Sequence, residues 1–376
     1  MKLAGFHLYH IQIPFKIRFG HAGASRDCSD SIVVRLAAAD GAVGLGEGAP
    51  REYVTGETSD TALREIESAA HAIAGGLASP DALNFIRRRL PDLVKGNAAR
   101  CAVEMAALDL LSRSVGKSIP DLLGRAPVPG FRPRYSGVIG VGRGWKTAWS
   151  ALKMWIYGFR DVKIKVGISL DQDVATAKTA RMILGRAIDL RADANGAWTL
   201  DEAEVVLQAL SPFGISCIEQ PLPPEQDDDL PRLREKTPAP IMLDESLCTM
   251  NDARRAVERG ACDMFNIRLS KCGGLLASLD IADYAARNGI KCQLGCQVGE
   301  TGILSAAGRL FSSLVPDLIH LEGSYERHLL AEDITNERVR FGYGGWADLL
   351  PGLGLGISVA ENALKKHVRR VLEVKW

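Results

Sequence analysis

The chain has 376 residues, 47% of them hydrophobic and 24% charged, and a formal net charge of +1. Such a composition describes a soluble globular protein of one large or two unequal domains, with no global field to gather nucleic acid or an anionic membrane. No run reaches the roughly 18 to 20 apolar residues of a membrane span, and the eight cysteines contain no Cys-x-x-Cys pair, so a reduced, cytoplasmic protein is expected.

The chain begins with an alternation of apolar and polar residues over 1–15, without the unbroken apolar stretch of a signal peptide. Strand-like patterns at His7–Ile13 and Ser31–Leu36 precede helices, the strongest over Asn97–Ser114. The run Arg87, Arg88, Arg89 reads as a solvated helix face. Pro127, Pro129, Gly130 and Pro133 mark a boundary, which predicts a first domain over 1–130.

From there helical stretches alternate with short apolar runs. The runs are Tyr135–Ile139, Val162–Val166, Ile188–Ala192, Ile215–Ile218, Ile241–Leu243, Met264–Ile267, Lys291–Leu294 and Leu318–Leu321. Gly158, Gly185, Gly214, Gly260 and Gly289 each stand where a helix would end before a strand. Ser169 with Gln172 and Thr199 with Glu202 fit helix-starting capping boxes, and Thr249 with Asp252 fits a weaker one. Strand–helix units repeating every 25 to 30 residues imply parallel strands. Eight of them favour a closed α/β barrel over 131–335, with an open doubly wound sheet as the alternative. The tail over 336–376 is glycine-rich, then basic and helix-like. Its Gly352-x-Gly354-x-Gly356 lacks the strand–helix setting of a dinucleotide loop and reads as turns.

In a barrel, chemistry gathers at the C-terminal ends of the strands. Those ends carry Lys163 and Lys165, Asp193 and Asn195, Glu219, Asp244 and Glu245, and Lys271, at steps of 28, 26, 25 and 27 residues from Lys165 onward. Three carboxylates on successive strands, roughly 4.8 Å apart, repel one another unless a cation lies between them. All-oxygen donors suit a hard ion such as Mg2+. Singly, each acid would more simply pair with a base or cap a helix. Lys163 and Lys165 share one face of their strand, and a lysine beside a divalent ion becomes a usable base. Such a set suits removal of the proton next to a carboxylate, since the ion and the ammoniums stabilise the resulting enediolate. Bases on both faces give racemisation or epimerisation. One active base gives elimination or cycloisomerisation.

Five motifs carry a family resemblance: Asp161-Val-Lys163-Ile-Lys165-Val-Gly167, Arg191-Ala-Asp193-Ala-Asn195-Gly196-Ala-Trp198, Ile218-Glu219-Gln220-Pro221, Asp244-Glu245-Ser246, and Asn266-Ile-Arg-Leu-Ser-Lys271-Cys-Gly-Gly274. In this order they resemble the muconate-lactonizing branch of the enolase superfamily, as do Gly46-Glu47-Gly48 and the helix around Glu104–Asp109. The resemblance implies a (β/α)7β barrel of the TIM type under an N-terminal α+β capping domain, with the C-terminal tail returning to the cap. It implies Mg2+ held by Asp193, Glu219 and Asp244, Lys165 and Lys271 as acid/base residues, and Lys163 as a stabiliser of the enolate. A homo-oligomer is expected, because such proteins often form dimers or octamers. The region Cys292–Cys296 has no histidine, unlike mandelate-racemase and sugar-acid dehydratase branches.

The segment Tyr53–Thr58 resembles the cap of dipeptide epimerases, but Glu322-Gly323-Ser324 replaces the Asp-x-Asp that those enzymes carry after the eighth strand. Asn195 and Glu300 are expected to contact substrate. The loop from Phe19 to Asp30, with His21 and Arg26, is expected to close over the mouth. Arg26 would then pair with a distal carboxylate of the substrate, and Glu322 would meet a cationic or amide end. The leading expectation is a racemase or epimerase of an amino-acid derivative (a dipeptide or N-acyl amino acid) acting on a small-molecule carboxylate, with no nucleic-acid or membrane partner. A muconate-type cycloisomerase or an o-succinylbenzoate-synthase-like dehydratase is the second reading. A non-catalytic barrel that binds a small acid is the third.

Overall fold

The computed structural model describes residues 2–21, 24–142 and 144–374, without the side chains of residues 17–25. The first region is a sheet covered by helices. Strands β1 (Leu3–Ile11), β4 (Ser31–Ala38) and β5 (Val43–Gly48) run antiparallel in sequence of contact, and a hairpin of β2 (Pro14–His21) and β3 (Ala24–Cys28) stands apart from them. Helices α1 (Ser59–Ala78) and α2 (Asn97–Val115) cover this sheet.

The seat of α2 is written in β5. A Cβ at Gly44, Gly46 or Gly48 would meet the carbonyl oxygen of Ala106, Ala102 or Ala98 at 2.0–2.1 Å. Glycine on the strand and alanine on the helix therefore let two backbones approach where any larger pair would force them apart. Between those glycines, the buried Glu47 accepts hydrogen bonds from Thr301 N at 3.1 Å, Thr301 Oγ1 at 2.6 Å and Leu304 N at 3.1 Å. A cap carboxylate thus sits at the start of a barrel helix, where free backbone N–H groups favour negative charge.

The second region is the barrel expected from the sequence. Its parallel strands are β6 (Gly137–Ile139), β7 (Asp161–Lys165), β8 (Asp189–Asp193), β9 (Ile218–Glu219), β10 (Ile241–Leu243), β11 (Met264–Ile267), β12 (Lys291–Leu294) and β13 (His320–Leu321). Each pairs with the next, and Ser136 N donates to Leu321 O at 2.8 Å, bringing the eighth strand back to the first. Seven helices alternate with the strands: α3 (Trp145–Ile156), α4 (Leu170–Leu184), α5 (Leu200–Leu210), α6 (Leu230–Lys236), α7 (Met250–Arg259), α8 (Leu275–Arg287) and α9 (Gly302–Leu314). Thr199 and Thr249 form complete capping boxes, and Ser169 Oγ accepts from Gln172 N at the start of α4. Along the strands the period is two: Val162, Ile164, Leu190 and Ala192 pack in the apolar core, while Lys163, Lys165, Arg191 and Asp193 occupy the alternate positions.

The tail departs from expectation at its end. Helix α10 (Glu361–His367) is shorter than the basic segment suggests, and strand β14 (Val368–Glu373) follows it, antiparallel to β1. Its backbone completes the open edge of the cap sheet, a tertiary demand that a short basic pattern does not advertise. The glycine-rich turn grips α2: Leu355 N donates to Asp109 Oδ1 at 2.8 Å and Gly354 N to Ser112 Oγ at 2.7 Å. Among the described residues no helix is long and apolar enough to cross a membrane.

Candidate active site

Lys165, Asp193 and Glu219 are the last residues of β7, β8 and β9, and Asp244 is the first beyond β10. Register aligns Lys165 with Asp193 and Asp193 with Glu219. All three carboxylates are fully buried. Two non-glycine residues with positive φ hold them in place, Asn195 at 49° and Gln220 at 39°. Such backbone is costly and persists only where its surroundings enforce it. Gln220 Oε1 accepts from Asp244 N at 2.9 Å and Ser246 N at 3.2 Å, tying the Asp244 loop to the strand that ends in Glu219. Asn195 donates its backbone N–H to Asp193 Oδ1 at 3.0 Å and accepts from Lys165 Nζ at 2.7 Å.

Cations interleave with these acids. Lys165 Nζ lies 2.6 Å from Asp193 Oδ2. Lys163 Nζ lies 2.8 Å from Glu322 Oε2, 3.1 Å from Glu219 Oε2 and 3.2 Å from Asp193 Oδ2. Burial opposes the charge on Lys163, but Glu219, Glu322 and Asp193 outweigh it and raise its pKa. Burial likewise opposes ionisation of Asp193, and Lys165 and Lys163 outweigh it, holding that carboxyl below the usual range. Beneath this layer, Arg191 contacts Gln293 and donates to Ser136 Oγ at 2.9 Å and Glu322 Oε1 at 3.3 Å. Both oxygens of Glu322 are thereby engaged by protein cations.

The far side of the carboxylate row differs from the sequence expectation. Lys271 lies in the helical turn Leu269–Cys272, fully buried, and donates to Asp244 O at 2.5 Å, Asp244 Oδ1 at 2.8 Å and Asn266 O at 2.9 Å. Burial lowers its pKa. The cation at the strand end is Arg268, which contacts Asp244 Oδ2 and lies 3.6 Å from Glu219 Oε1. Sequence reasoning passed over it, although it stands two residues after Asn266, whose Nδ2 donates to Glu219 Oε1 at 2.7 Å. Strand alternation puts both on one face. The Oε1 of Glu245, next to Asp244, accepts from Asn195 at 3.0 Å, and its buried Oε2 has no protein partner among the described residues.

Among the described residues no three acidic side chains converge on one point; Lys163 lies between Asp193 and Glu219, and Arg268 between Glu219 and Asp244. The donors nonetheless fit a hard divalent ion. They are buried, all-oxygen and on successive strands, and the unpartnered Glu245 oxygen belongs to a residue whose carboxyl is raised by burial and by the nearby Asp193 charge. At the rim, Glu300 Oε1 accepts from Gln297 N at 2.5 Å, and burial pushes its pKa up to about 8. Arg26 is half-buried on β3, close enough to disfavour the charge on the buried Arg51. Arg51 in turn donates to Val298 O at 2.6 Å, joining the cap to the loop after β12. The His21 side chain and the tip of the Phe19–Asp30 loop lie outside the described residues.

Comparison with known proteins bears on the family and the fold. Residues 146–363 match the family described as enolase C-terminal domain-like, and residues 8–124 match the mandelate racemase / muconate lactonizing enzyme N-terminal domain. A hydrophobic dipeptide epimerase of Enterococcus faecalis is 33% identical over 82% of this chain and 86% of its own length. An N-succinyl-L-Arg/Lys racemase of Bacillus cereus is 28% identical over 97% of this chain and 98% of its own. The crystal structure of a dipeptide epimerase from Cytophaga hutchinsonii, complexed with Mg and D-Ala-L-Val, superposes with a TM-score of 0.90 at 25% identity, covering both chains fully.

Proposed function

This chain belongs to the mandelate racemase / muconate lactonizing enzyme family of the enolase superfamily, with epimerases and racemases among its relatives, and on that premise we propose that it removes the proton α to the carboxylate of an amino-acid derivative. The observation that carries this reading is the row Asp193, Glu219, Asp244 at three successive strand ends, with Lys165 beside its first member. Asp193, Glu219 and Asp244 are the residues that would hold Mg2+. With that ion bound, the charge that accumulates on the substrate carboxylate is stabilised where water is excluded.

Each neighbouring side chain then has a task. Lys165 takes the α-proton, oriented by the Asn195 amide oxygen and Asp193. Lys163 stays charged between Glu219 and Glu322 and stabilises the negative charge as it develops. Arg191 keeps Glu322 in place from below. In this arrangement Glu322 positions Lys163, and Arg26 and Glu300 remain rim groups for substrate selection.

Two outcomes follow proton removal. Epimerisation of a dipeptide or an N-acyl amino acid is supported by the names of the relatives. Chemistry with a single base, as in a cycloisomerase or dehydratase, is favoured by the complete engagement of Lys271 away from the mouth. The test common to both is incubation with Mg2+ and a library of dipeptides and N-succinyl amino acids in D2O. A mass gain of one deuterium in any member supports α-proton removal. No gain across the library contradicts it.

A further inference from the structure

Two side chains flank the carboxylate row from opposite ends. Lys165, on the second barrel strand, lies against Asp193, and Arg268, just beyond the sixth, lies against Asp244 and Glu219. In a closed ring of eight strands these positions face each other across the axis. The Arg268 side chain retains 10% exposure and reaches Gln297 of the loop after β12 at 3.4 Å. Lys271 has none, and all three of its ammonium protons are spent on Asp244 and Asn266. Among the described residues, the cation that this strand end presents to substrate is therefore a guanidinium. A guanidinium donates hydrogen bonds and holds its charge, but it does not give up a proton at working pH.

Building on the α-proton reading, we propose that proton transfer in this protein runs on one face only, with Lys165 as its single base. Arg268 is a fixed cation on the opposite face, where it stabilises negative charge on the substrate. The Lys165 lone pair takes the α-proton, and the C–H electron pair moves into the carboxylate. That pair then has two exits. It recovers a proton from Lys165 on the same face, with retention of configuration. Alternatively it forms a C=C bond to the β-carbon while a β-oxygen leaves with the electrons of its C–O bond. When the leaving oxygen stays tethered, as in a lactone, the reaction is an isomerisation. When it is a hydroxyl, it departs as water with the proton that Lys165 had taken. A simple α-stereocentre therefore exchanges its proton without inverting.

The experiment separates exchange from inversion. Separated enantiomers of N-succinyl amino acids and separated epimers of dipeptides are incubated with the Mg2+-loaded enzyme in D2O. Deuterium gain is read by mass and configuration by chiral chromatography. The expected result is exchange in one stereoisomer, with inversion at least about 100-fold slower, the contribution of a positioned base. Inversion at a rate close to exchange overturns the one-face assignment and leaves the α-proton reading intact. No exchange in any probe overturns both. Arg268→Lys places a titratable amine opposite Lys165, and the ratio of inversion to exchange should rise by about 10- to 100-fold. An unchanged ratio in a variant that melts like the wild type removes Arg268 from the substrate face.

Discussion

Lys165 and Lys271 carry the same ammonium group and each touches an aspartate of the same row, yet their surroundings oppose each other. Lys165 ends a strand, keeps a little exposure and shares its protons between Asp193 and Asn195. Lys271 sits four residues past a strand, inside a helical turn, sealed from solvent and bonded to two backbone carbonyls. The difference is geometric. A residue at a strand end projects toward the barrel axis by the two-residue period, whereas a turn of helix carries the next side chains back under the mouth. The first arrangement leaves an amine able to meet a ligand, and the second makes the amine part of the scaffold.

The sharpest way to break this contrast is at the shared row. Glu219→Gln should lower Mg2+ affinity by more than the roughly 10- to 100-fold that even an outer-shell change costs. Isothermal titration with the metal alone checks this, and near-wild-type binding would remove Glu219 from the ligand set. Next comes Lys271→Met. If Lys271 is scaffold, removing it leaves Asp244 and two carbonyls short of a buried partner, at a cost of about 3 kcal/mol. Urea denaturation of the metal-free protein measures this, and a loss under about 0.5 kcal/mol, ordinary for a surface site, would return Lys271 to the candidate bases.

A buried carboxylate outside the row extends the comparison. Glu104 of α2 accepts from Leu276 N at 2.9 Å, and burial pushes its pKa up to about 7 from the ordinary 4.5. A folded-state pKa above the unfolded one means that protonation stabilises the fold. That contribution is fully present below pH 4.5 and is lost as pH rises through about 7. Over this window stability should fall by an amount on the order of 3 kcal/mol at most, and Glu104→Gln should flatten the decline. An unaltered slope in the variant would assign the pH dependence elsewhere. The smallest effect is expected at Thr199→Ala, which breaks the capping box of α5 and should cost about 1 kcal/mol in thermal or urea unfolding, with no change in deuterium uptake.

The barrel was legible because four successive strands, β7 to β10, end in chemistry at nearly constant spacing, and because Thr199 and Thr249 announce their helices. The site was legible as far as Asp244. Past that point the 27-residue step selected Lys271 by residue type, although the strand ends at Ile267 and Arg268 is the residue beside it. Applying the strand-end rule before the chemistry would have found the guanidinium. The pairing of Glu322 with Lys163 and Arg191 was hidden for another reason. Its partners lie 159 and 131 residues away and meet it only when the eighth strand closes on the first. Strand β14 was likewise invisible, since Val368–Glu373 is a strand only because β1 has an edge to fill.

The claim on which the rest depends is that Lys165 moves the α-proton, and deuterium uptake by wild type and Lys165→Ala side by side tests it most directly. Both are loaded with Mg2+, matched for melting temperature and given the stereoisomer that the wild type exchanges. The account predicts uptake in the wild type and a loss of at least about 100-fold in the variant. Uptake that persists in Lys165→Ala at a comparable rate would contradict it.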